Sequence, residues 1–141
     1  SILFALAGLY EGTLGAAFLV APAALFDRFG VTPPNHLGYV QFPAALLLVF
    51  AIMFFAVAVN PRANRNLIPY GILLKASYCT LVFGYWFTQG IPGMWKPFAI
   101  ADLVFAAFFF WAWWRTEPRT GWTAPDQIRN EIPKASTGQS L

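Results

Sequence analysis

Four long apolar runs, each parted from the next by a short polar break, organise this chain of 141 residues. The first extends from Ile2 to about Phe26, the second from about Leu37 to Val59, the third from about Leu67 to Phe87, and the fourth from about Phe98 to Trp114. Crossing a hydrocarbon layer about 30 Å thick takes about 20 helical residues, and every run falls in that range. The breaks carry turn formers: Thr32-Pro33-Pro34-Asn35 in the first, Asn60-Pro61-Arg62 in the second, and Gln89-Gly90-Ile91-Pro92-Gly93 in the third. Connections this short make consecutive helices antiparallel neighbours. The pattern therefore predicts an all-α, polytopic membrane four-helix bundle over residues 1–115, followed by a polar C-terminal tail, 116–141, on the cytoplasmic side.

Composition sharpens this picture. The chain is 58% hydrophobic and only 11% charged, about half the charge fraction of ordinary globular domains. A soluble domain of this size would lack a polar coat. The net charge of +3 is small and lies mostly in the loop with Arg62 and Arg65 and at helix ends, the tail's side-chain charges cancelling, so it reads as topology and headgroup contact, with no nucleic-acid partner. Cys79 is the single cysteine, which excludes an internal disulfide and a multi-cysteine metal site.

The first run has no basic residue ahead of it, Arg28 being the first, and is too long for a signal-peptide core; a retained helix is expected. An opening Ser1 fits removal either of an initiator methionine or of a short leader. Arg62, Arg65, Arg115 and Arg119 fall on one side of the membrane, Arg28 and Lys96 on the other. That balance places both termini in the cytoplasm.

Three charges interrupt the apolar runs: Glu11, Lys75 and Asp102. Charge at this depth must be paired or neutralised and is a first place to seek function. At about 1.5 Å rise per residue, Glu11 and Lys75 share a level and Asp102 sits about 6 Å above them. Each lies on a stripe of small residues: Gly8, Gly12 and Ala16 beside Glu11, Gly71 and Cys79 beside Lys75, Ala99 and Ala106 beside Asp102. Small residues let helix backbones approach, so the three charges are expected to meet inside the bundle. There they would fix helix register, or serve as a proton relay or a head-group site.

Chemistry of other kinds is absent from the sequence. There is no Ser/His/Asp set, phosphate-cradling loop or nucleotide motif, and one His, His36, is expected to be a plain interfacial residue. Neither enzymatic activity nor a metal is expected. The aromatic stretch from Phe105 to Trp114, including Trp111, Trp113 and Trp114, suits a bound lipid, quinone or carotenoid, or a contact with another subunit. In the tail, Trp122 is the largest apolar anchor, accompanied by Ile128 and Ile132. A tail with so little of its own to bury orders only against other protein, so Trp122 is the expected docking contact.

Leu9-Tyr10 followed by a polar residue and Gly, then Pro22, Leu25-Phe26-Asp27, Gly30 and Pro33-Pro34-Asn35, with Lys75 and Asp102 further on, resemble a loose family of small bacterial four-helix membrane proteins described as DoxX-like. The likeness spans about residues 5–115. It implies a four-helix membrane fold and an association with quinol-linked redox systems, although the cysteine chemistry of some relatives is missing.

Two functions compete on these grounds. The first is a non-catalytic accessory subunit of a larger membrane complex, respiratory or photosynthetic. The second is a stand-alone carrier or quinone- or lipid-binding protein that uses the Glu-Lys-Asp cluster.

Overall fold

A computed structural model describes residues 1–116. Among them the chain forms five helices and no strands: α1 (Ile2–Val20), α2 (Pro22–Arg28), α3 (Gly38–Val59), α4 (Ile68–Thr88) and α5 (Lys96–Arg115). Short 3-10 turns, Arg65–Leu67 and Gly93–Trp95, lead into α4 and α5. Four of these segments are long and apolar enough to cross a membrane. The protein is an all-helical membrane bundle. The contacts expected of the tail, Trp122 among them, lie outside the described residues.

Polarity is inverted relative to a soluble protein. Val49, Ile52, Leu73 and Leu103 point outward, while Glu11, Lys75 and Asp102 are enclosed. Polar side chains left on the lipid-facing surface satisfy themselves locally. The hydroxyl of Ser77 donates to the Leu74 carbonyl at 2.8 Å, and that of Thr80 to the Ala76 carbonyl at 2.7 Å. Such back-bonding is what a segment surrounded by hydrocarbon requires.

The first apolar run is not one helix. Its backbone leaves helical geometry at Ala21 (φ −133°, ψ 48°), and Pro22 becomes the first residue of α2. Proline lacks the N–H that would continue the ladder, and at the first position of a new helix that loss costs nothing. One carbonyl at the end of α1, that of Leu19, accepts a hydrogen bond from the Gln41 side chain of α3 at 3.1 Å. Phe26, expected at the end of the first span, instead belongs to α2, where it joins Phe18, Ala44 and Met94 in an apolar cluster.

A second apolar cluster closes the opposite end: Phe4, Ala7, Phe54, Val57, Ile68 and Phe109. The Phe4 and Phe109 rings stack at 4.8 Å between centroids, and Phe54 lies 5.0 Å from Phe109. Here Arg65 also ties the ends together. Its guanidinium donates to the Trp113 and Thr116 carbonyls at the end of α5 and lies 4.7 Å over the Trp113 ring. A cation at a helix C-terminus satisfies orphan carbonyls and complements the dipole.

Packing is uneven around the bundle. α1 lies closely against α3, and α4 against α5, whereas α3 and α4 touch only sparsely. Of the small residues expected to mediate packing, Gly8 faces the Phe55 ring and Gly12 the Ala51 methyl, both on α3. Ala16, also expected there, is exposed. Gly15 takes its place: a Cβ there would stand 2.7 Å from the Ala44 carbonyl oxygen. At about 100° per residue, Gly15 lies about 20° from Gly8 around the helix and Ala16 about 80°.

Candidate functional site: a charge cluster under a lateral cleft

Between the two apolar clusters, α1, α4 and α5 each contribute one charge. Lys75 Nζ donates to Asp102 Oδ1 at 2.6 Å and to Glu11 Oε1. Lys75 is 0% exposed, Glu11 1% and Asp102 6%. The structure thus brings all three sequence-identified charges together. Each sits on the buried stripe of its helix: Gly8 and Gly15 flank Glu11, Gly71 and Cys79 flank Lys75, and Ala99 adjoins Asp102.

Aromatic rings complete the lysine's surroundings. Its Nζ lies 4.9 Å from the Tyr10 ring centroid and 5.5 Å from that of Phe105. A cation held against ring faces gains from their quadrupoles where water is absent. Sequence reading did not assign these two side chains to the cluster. Their only signal was adjacency, Tyr10 next to Glu11 and Phe105 one turn beyond Asp102. The Tyr10 hydroxyl is buried beside Asp102, whose carboxylate is its natural hydrogen-bond acceptor.

A cavity of about 400 Å³ opens above this cluster, a volume within the range of small-molecule sites. Tyr10, Glu11, Leu14 and Phe18 of α1 form its back, and Trp95, Phe98 and Asp102 one side. Ala44, Leu47 and Phe50 of α3 face Leu74 and Tyr78 of α4 across it. Tyr39, Pro43, Leu46, Ser77 and Leu81 also border it and are exposed on the surface that meets lipid. The mouth is therefore lateral, in the gap that α3 and α4 leave between them. Hydrogen bonding of Tyr78 to the Trp95 carbonyl at 3.3 Å pins the far wall.

Glu11 and Asp102 reach the cavity wall, and Lys75 does not. Lysine takes one oxygen of each carboxylate from behind, so the cavity meets the acid side of the cluster. The floor is polar and the walls are apolar and aromatic.

The remaining sequence-identified residues fall elsewhere. Trp111 and Trp114 project from α5 into lipid, Trp114 at 74% exposure. Trp113, expected as a partner contact, instead packs within the chain under Arg65 and against the lower apolar cluster. His36 accepts a hydrogen bond from the Gly38 N–H through Nδ1 at 3.0 Å, at the start of α3. Among the described residues no group of three or more His, Cys, Asp or Glu side chains is placed to hold a metal.

Comparison with known proteins gives no match: no family model, no curated protein and no solved structure corresponds to this chain.

Proposed function

We propose that this protein binds an amphipathic, membrane-soluble small molecule in the cleft between α3 and α4, as a carrier or receptor without catalysis of its own. One observation carries the reading: an apolar cavity of about 400 Å³ opens sideways toward lipid and ends on two buried carboxylates. A molecule already dissolved in the bilayer reaches such a site without leaving hydrocarbon. Its tail replaces lipid against aromatic walls, and its head meets the acids. A charge cluster kept only for register would need no cavity above it.

Ser77→Trp tests this reading. Ser77 is exposed at the mouth, so an indole there fills the entrance without entering the packed core. In detergent, wild-type protein is expected to be thermally stabilised by at least one amphipathic ligand class, because a ligand that binds only the folded state raises its stability. The tryptophan variant should fold equally well and lose that response. An unchanged response in the variant places binding elsewhere and contradicts the proposal.

The location proposed is the bacterial inner membrane, with both termini on the cytoplasmic side. The support is Arg62, Arg65 and Arg115 at one end of the bundle against Arg28 and Lys96 at the other. A cysteine placed at Asn64 should be labelled only from the cytoplasmic side; labelling only from outside reverses the orientation.

The accessory-subunit reading keeps one specific support, the exposed ridge of Phe108, Trp111 and Trp114 on α5. It requires stoichiometric co-purification with a larger complex in mild detergent. A homogeneous small particle speaks against it.

A further inference from the structure

The charge balance of the floor identifies the kind of head group the cleft takes. Two carboxylates, Glu11 and Asp102, meet a single ammonium, Lys75, with no other charged side chain in the cavity wall. With all three ionised, the cluster carries one negative charge in excess. Lys75 lies behind the carboxylates and outside the wall, so that excess faces the cavity. Isolated charge at this depth is costly, and the cost falls when an opposite charge enters.

The walls complement a cation in a second, independent way. Tyr10, Phe18, Tyr78, Trp95 and Phe98 surround the space between floor and mouth. Rings attract a cation through their negative faces, and more strongly where water is excluded. They also bury the apolar bulk of an organic molecule. By contrast, an anionic head would meet two carboxylates with no free cation in reach.

We propose that the cleft selects amphipathic organic cations, the positive head held between Glu11 and Asp102 and the aromatic walls enclosing the apolar part. This rests on the cleft being a binding site at all, and specifies its ligand class. A neutral quinone or a lipid tail is the competing occupant.

The test compares phenylbutyl-trimethylammonium with its neutral isostere, in which carbon replaces the nitrogen, by thermal shift and titration calorimetry on the full chain in uncharged detergent. The two differ in charge and hardly in shape. The cation is expected to bind at least about tenfold more tightly, which corresponds to about 1.4 kcal/mol. Glu11→Gln removes the excess negative charge and should abolish the preference, so that the two probes bind alike. Asp102→Asn serves as the second variant, with the same expectation, should Glu11→Gln fold poorly. Equal binding of both probes by wild-type protein overturns the cation assignment and leaves the cleft reading standing. Retention of the preference in both variants also overturns it. If neither probe, no quinone analogue and no neutral lipid binds, the cleft reading falls together with this one.

Discussion

Lys75→Met is expected to cost the bundle about 3–5 kcal/mol, because it leaves two enclosed carboxylates without their counter-charge. The lysine is fully buried and bonds to both acids, one on α1 and one on α5, so a single substitution removes the polar link among three helices. Methionine nearly preserves the volume, and little of the loss can come from a void. The decisive comparison is the triple variant with Glu11→Gln and Asp102→Asn added. Neutralising the acids removes the stranded charge, so the triple variant should be more stable than Lys75→Met alone. Such non-additivity is the signature of residues acting as one unit. Reversible unfolding in mixed micelles measures it. A triple variant as unstable as the sum of its three single changes would show that the charges do not share a network.

Gly15→Val is expected to be the most damaging change in the apolar part of the bundle, at about 1–3 kcal/mol. The close approach there is to backbone: an added Cβ would stand 2.7 Å from the Ala44 carbonyl oxygen, with the Leu47 Cβ at 3.1 Å. Backbone in α3 cannot rotate aside as a side chain can, so α1 and α3 would have to separate. Since α1 carries Glu11 and α3 one wall of the cleft, ligand response should fall along with stability. Ala16→Val is the control. Ala16 is exposed, and its substitution should change the unfolding midpoint little. Equal damage from the two variants would contradict the observed rotation of α1.

Hydropathy made the spans legible because hydrocarbon imposes length and apolarity on every crossing helix, whatever its neighbours. The meeting of Glu11, Lys75 and Asp102 was legible for a related reason. Depth follows from residue count, and small residues mark the face where backbones come close. The break at Ala21 was only half visible. Pro22 announced a disturbance, but whether it kinks one helix or starts another depends on Phe26 finding Phe18, Ala44 and Met94, which are distant in sequence. Gly15 was overlooked in favour of the four-residue spacing ending at Ala16, although the helical angle favours Gly15. The cleft left no local signal. Short loops imply that α3 and α4 are neighbours, yet the gap between them arises because α3 spends Ala44 and Ala51 on α1 while α4 spends Cys79 on α5. A pairing preference of that kind is a property of the assembled bundle. For the same reason Tyr10 and Phe105 could not be placed beside Lys75 beforehand.

Photo-cross-linking with an amphipathic cation carrying a diazirine in its apolar part, followed by peptide mapping, tests the central claim most directly. Adducts are expected to concentrate on the residues bordering the cleft, Tyr39, Leu46 and Leu81 at the mouth and Phe50 and Phe98 within, and to disappear in Ser77→Trp. Adducts spread evenly over outward positions such as Ile52, Leu73 and Leu103, and unchanged by Ser77→Trp, would show that the probe samples the surface as ordinary lipid does and that the cleft is not a binding site.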